Sequence, residues 1–92
     1  MLFMGYWRFS PANRDAAIER FLKTGGVPPQ GVKMLGRWHD VAQGKGIMIS
    51  EAEDASAMAR WVLDWSDLME MEVCPVLNDE QLGAVLAGLQ GK

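Results

Sequence analysis

The stretch GRWHD, Gly36 to Asp40, places the only histidine of the chain between a tryptophan and a carboxylate. A histidine near its ordinary pKa of about 6.5 exchanges protons at neutral pH, and an aromatic neighbour can hold a flat substrate or exclude water. Tyr6 is a second side chain able to move a proton, so His39 and Tyr6 are the candidates for acid–base chemistry. Neither comes with the rest of a catalytic set. Ser10, Ser50, Ser56 and Ser66 fall at expected caps, strand ends or helix surfaces, away from the strand-to-helix elbow that exposes a hydrolase nucleophile. The segment GKG, Gly44 to Gly46, lacks the first glycine of a phosphate loop and has Ile47 where that loop needs Ser or Thr. A haem would need His39 as axial ligand, and strand alternation turns that residue away from the helices. Cys74 is alone, so it can build neither an internal disulfide nor a metal cage. No metal and no cofactor are expected.

Trp38, Trp61 and Trp65, with Met34 and Met58, read first as core. Truncating one such indole at a packed site would cost about 3–5 kcal/mol. Placed between a sheet and its helices, the same residues are also candidate walls of a pocket for a small hydrophobic ligand.

The chain of 92 residues is long enough for one domain, 1–92, with a modest core. Its hydrophobic fraction of 49% and charged fraction of 23% are ordinary globular usage. A net charge of −3 without a Lys/Arg cluster gives no field for a phosphate backbone, which argues against nucleic acid. Apolar runs fall far short of the roughly 20 residues that span a bilayer, and the start has no basic signal segment. A cytoplasmic protein with no membrane partner is expected.

Periodicity supplies the elements. Met1 to Phe9 is apolar on both alternating faces, Leu2, Met4 and Tyr6 on one and Phe3, Gly5, Trp7 and Phe9 on the other, as in a central strand. Ser10-Pro11 starts a helix, the serine hydroxyl being the expected cap. Ala17, Ile18 and Phe21 make its apolar face, and Gly25-Gly26 ends it. VPPQG, Val27 to Gly31, is a loop because proline lacks an amide donor. From Val32, regular alternation puts Val32, Met34, Gly36 and Trp38 toward the helices and Lys33, Leu35, Arg37 and His39 toward the open side. A bulge at Arg37 or Trp38 would bring both rings to one side. AQGKG, Ala42 to Gly46, is expected to turn on positive φ at its two glycines before a strand beginning at Ile47.

Asp54 caps a second helix whose stripe is Ala55, Met58, Trp61, Val62 and Trp65. Met69 to Leu77 alternates with Met69, Met71 and Val73 inward and Glu70 and Glu72 outward, and Pro75 marks it as an edge strand. Asn78 caps a last helix, about 79–90, with Leu82, Val85, Leu86 and Leu89 in a stripe that needs something to dock on.

The order βαββαβ with a terminal helix is α+β, the ferredoxin-like arrangement in which a four-stranded antiparallel sheet carries both helices on one face. If the strands lie 4-1-3-2, the open side of the central strand is apolar, a liability in a monomer. The expected partner is a second copy of the chain. Lys33, Arg37 and His39 on one edge strand would then meet Glu70 and Glu72 on the opposite edge strand of the partner across a two-fold.

MLFM at the start, GVKMLGRWHDV in the second strand, DWSDL after the second helix and EMEVCPVL in the fourth strand resemble a small bacterial family catalogued as domain of unknown function 3303. The resemblance spans about Met1 to Leu86. It implies a ferredoxin-like domain forming a dimeric α/β barrel, and it implies no activity.

Two functional readings follow. The first is a noncatalytic homodimeric module that binds a small molecule or another protein. The second is a cofactor-independent monooxygenase or isomerase acting on a small hydrophobic substrate between sheet and helices, with Tyr6 or His39 handling the proton. Side chains filling that space would end the second reading; a cavity of about 300 Å3 or more with a tyrosine, histidine or arginine pointing in would favour it.

Overall fold

A computed structural model describes residues 1–90. Gly91 and Lys92, the last positions of the expected domain, lie outside the described residues. The elements run β1 (Leu2–Arg8), α1 (Pro11–Thr24), β2 (Val32–His39), β3 (Lys45–Ala52), α2 (Ala55–Leu63), β4 (Glu70–Val76) and α3 (Asp79–Gln90). The strands form one antiparallel sheet in the order β2-β3-β1-β4, a ferredoxin-like α+β fold. β1 is central because it is apolar on both alternating faces. β4 is an edge strand, where Pro75 interrupts no central ladder.

Phe3, Gly5 and Trp7 stand opposite Ser50, Met48 and Gly46 on β3 and opposite Pro75, Val73 and Met71 on β4. These residues form the covered face. The core joins Phe3, Met48 and Ala52 from the sheet to Ala57, Met58 and Trp61 from α2. α2 begins where sequence places it, with the Asp54 carboxylate accepting the Ala57 amide at 3.2 Å. It ends earlier than the apolar stripe suggests, at Leu63, so Trp65 reaches the core from the following turn.

α1 is held differently. Only Ala17 of this helix is buried. Asn13 donates to the Leu68 carbonyl at 3.0 Å, and Arg20 grips the Asp67 carboxylate through two bonds of 2.8 and 2.7 Å. Arg20 also donates to the Asp64 carbonyl at 2.9 Å and lies over the Trp65 ring. The DWSDL segment is therefore a clamp for α1, suited to the planar fork of arginine. The expected serine cap is corrected: Ser10 makes no side-chain cap bond, and Pro11 at the first position sets the helix start.

The β2–β3 turn is corrected too. Gln43, with φ 61°, takes the left-handed position expected of a glycine. Gly46 lies within β3 instead, where a Cβ would overlap the Trp7 indole that lies across it. Its function is close approach.

α3 starts with a reciprocal cap, Asn78 accepting the Gln81 amide at 2.8 Å and Gln81 accepting the Asn78 amide at 2.9 Å. None of its residues is buried, and Leu82, Val85, Leu86 and Leu89 are all exposed. The shape records this: extents of 54 × 27 × 18 Å and a radius of gyration of 15.6 Å, against about 12 Å for a compact domain of this length. No described helix is long and apolar enough to cross a membrane.

Met58 is 2% exposed at the centre of the core. Met58→Ala should lower the unfolding free energy by about 2–5 kcal/mol, whereas Arg60→Ala on the outer face should change it by less than about 0.5 kcal/mol. Denaturant titration of both variants checks the contrast.

Candidate functional site: a cavity between sheet and helices

β2 contains one residue more than its ladder needs. Met34 stands opposite Ser50 and Gly36 opposite Ile49, which leaves Leu35 as the extra residue of a β-bulge. Beyond it the alternation is inverted. Arg37 and His39 pair with Met48 and Gly46 on the covered face, and Trp38 pairs with Ile47 on the open face. The regular-strand expectation is thus reversed for all three residues, although Met34 and Lys33, before the bulge, keep their expected sides.

Under α1, the covered face does not fill. A cavity of about 430 Å3 remains, floored by Gly5, Trp7 and Met48 and roofed by Ala17, Ile18 and Phe21 of α1. Trp61, Trp65, Met69 and Met71 close one side, and Arg37 and His39 another. Of the pocket residues expected from sequence, Trp61 and Trp65 line it. Met58 and Met34 belong to the core beside it, and Trp38 lies on the opposite sheet face, 58% exposed, against Gly36. Trp7 and Phe21 were missed as walls; the aromatic, two-faced composition of β1 was the available signal.

Arg37 is fixed by the end of α1. Its guanidinium donates to the Gly26 carbonyl at 2.7 Å and the Gly25 carbonyl at 3.2 Å, and it stacks 4.9 Å from the Phe21 ring centroid. A cation there opposes the negative end of the helix dipole. Gly26, at φ 59°, permits the approach, since a Cβ would stand 2.8 Å from the guanidinium. Partial burial pulls the pKa of Arg37 below the usual arginine range, which leaves it charged at neutral pH. His39 stands at the cavity mouth with edge-on contacts to Trp7 and Phe21, ring centroids 5.8 and 5.4 Å away. Desolvation of the ring, and then the charge of Arg37, hold its pKa below the ordinary value. The imidazole is therefore neutral at pH 7.

Tyr6 is elsewhere. It projects from the open face and donates to the Glu72 carboxylate, which raises the phenol's pKa. The two proton-handling candidates lie on opposite sides of the sheet. Arg8 meanwhile pairs with Glu70 at 3.2 Å. The expected dimer-face charge pattern is corrected accordingly: Arg37 and His39 are absent from that face, Lys33 alone remains of the three bases, and Glu70 and Glu72 have partners within the chain. The open face is instead apolar at its centre, with Met4, Tyr6, Trp38, Ile47 and Ile49. Among the described residues no group of three or more His, Cys, Asp or Glu is placed to hold a metal ion.

Fold and site together define a ferredoxin-like α+β domain with an aromatic cavity beneath its first helix. The chain belongs to the family described as Domain of unknown function (DUF3303), whose model matches residues 1–90. Among solved structures it is similar to a protein from Deinococcus radiodurans, provisionally assigned as an antibiotic biosynthesis monooxygenase, at 11% identity and a TM-score of 0.47 over 84% of this chain and 92% of that one. It is also similar to Rv0793 from Mycobacterium tuberculosis, at 12% identity and a TM-score of 0.48 over 85% of this chain and 95% of that one. No curated protein compared with the chain matches it.

With a single histidine, the electrostatics can be read directly by NMR. His39 should titrate with a midpoint below about 6.5, and Arg37→Met should raise that midpoint. Because the folded-state pKa lies below the unfolded one, protonation favours the unfolded chain. The His39 contribution is therefore full above pH of about 6.5 and is lost as pH falls toward the folded midpoint. A midpoint at or above the model-peptide value contradicts this placement of the ring.

Proposed function

We propose that this protein is a homodimeric small-molecule-binding domain, whose cavity takes a flat, largely apolar ligand and whose open sheet face meets a second copy of the chain. The observation that carries the reading is the cavity itself. Its 430 Å3 is walled mostly by aromatic and aliphatic side chains with Arg37 and His39 as convergent polar groups, the composition usual for ligand sites of about 300–1,000 Å3. α1, tied by hydrogen bonds at Asn13 and Arg20 and buried only at Ala17, can shift without losing a packed interface.

The dimer half of the proposal rests on exposed apolar surface. Trp38 at 58% and Tyr6 at 44% exposure share one sheet face with Ile47, a contiguous patch of the sort that marks an interaction surface. The stripe of α3 is a second unpartnered surface of the same molecule.

Catalysis is the second reading, and one observation favours it: the cavity exceeds about 300 Å3 and contains His39, held neutral and so able to accept a proton. It is the weaker reading because Tyr6 is on the far face and, among the described residues, the cavity gives His39 no second group that exchanges protons near neutral pH.

Titration with neutral and charged naphthalene derivatives, followed by indole fluorescence and melting temperature, should give saturable quenching and a concentration-dependent rise in Tm. No response from any of them contradicts the binding half. Sedimentation should give twice the chain mass of 10.2 kDa, with Ile47→Glu shifting the population to monomer. A wild-type monomer at micromolar concentration contradicts the dimer half.

A further inference from the structure

The walls of the cavity carry one cation and no anion. Among the described residues Arg37 is the only permanently charged side chain lining it, and neither an Asp nor a Glu lines it. In a chain of net charge −3, this local excess is opposite in sign to the whole. Among the described residues the ion pairs are Arg8 with Glu70 and Arg20 with Asp67, so no carboxylate compensates Arg37. Its two hydrogen bonds go to the neutral carbonyls of Gly25 and Gly26. Those carbonyls lie just past α1, whose last turn contributes about half a negative charge, which leaves a positive remainder facing a space walled by Trp7, Phe21 and Trp61. Of the five N–H donors of a guanidinium, three are left by those two bonds.

A partly buried charge without a counter-ion carries a desolvation cost, and a ligand that brings the opposite charge into the same partly enclosed space recovers part of it. A neutral ligand of equal shape leaves it in place. His39 adds a ring nitrogen at the mouth, neutral and unoccupied by any hydrogen bond among the described residues, that can donate to the same anionic group.

We propose that the ligand of this cavity is a planar aromatic monoanion, an aryl carboxylate or a compound of that class, with its rings beneath α1 among the aromatic walls and its charge on Arg37. This rests on the reading of the cavity as a ligand site. Its size suits about two fused rings with small substituents. A dianion such as a phosphate ester fits less well, because a single cation faces it.

The experiment uses the intact wild-type protein and three molecules of nearly one shape: 2-naphthoate, 2-naphthamide and 2-naphthylmethylammonium. Calorimetric or fluorescence titration should rank them naphthoate, naphthamide, ammonium, with about tenfold or more between the first two. The His39 NMR midpoint should rise when naphthoate is bound, because an anion beside the imidazole favours its protonated form. Arg37→Met should bring naphthoate and naphthamide to equal affinity; should that variant not fold, the wild-type ranking and the His39 shift still decide. Equal wild-type affinities, or preference for the amide or the cation, overturn the inference and leave the cavity reading standing. Binding of none of the three overturns both, and naphthoate binding that leaves His39 unmoved overturns the assigned position.

Discussion

Leu35 has no partner of its own on β3, and nearly everything specific about this domain follows from that extra residue. A strand has a side-chain period of two, so a one-residue insertion exchanges the faces of all that follows. Without it, Arg37 and His39 would lie in solvent on the open face and Trp38 would be driven under the helices. With it, a cation and an imidazole are delivered beneath α1, and a large indole is left outside. The bulge sits on the edge strand β2, where local disruption of the ladder costs the sheet least.

Placement of the charge then determines how α1 is held. Arg37 bonds the carbonyls that end the helix, while Arg20 and Asn13 bond the loop that ends α2. Polar clamps at both flanks replace the apolar packing that α2 uses, where Met58 and Trp61 lock directly onto the sheet. A helix fixed in this way need not press against the strands below it, and the space is what remains. The walls are nevertheless close-packed at particular points. Trp7 lies across Gly46, and Gly26 brings the loop backbone up to Arg37, so the cavity has a defined floor and a defined charged end.

Much of the fold was legible because it is written in periodicity. The two-faced apolar run of β1 required a central strand, Pro75 required an edge, and Asp54 and Asn78 marked helix starts that their side chains do cap. The strand order and the family resemblance agreed with those signals. Local features that depend on competition between near-equal choices were less legible. Gln43 rather than a glycine takes the positive φ, and proline alone, without the Ser10 hydroxyl, begins α1.

One ambiguity in the sequence hides the site. A period-two reading of VKMLGRWH fits equally well with or without an insertion, because Leu35 is apolar and Gly36 has no side chain to assign to a face. A glycine inside a strand is itself a bulge signal, but it does not say which neighbour is extra. A bulge at Arg37 or Trp38 would join the two rings; the bulge at Leu35 keeps them on opposite faces and exchanges those faces. With the reversal the open face loses Arg37 and His39 and is apolar at its centre, while the cavity gains its charge.

Nuclear Overhauser contacts of the His39 ring protons test this placement most directly. Contacts are expected from His39 to the Phe21 and Trp7 rings, and from the Trp38 indole to Ile47. Contacts from Trp38 to Phe21, with His39 instead touching Ile47 or Tyr6, would show an unbulged β2 and a cavity without its imidazole and its charge.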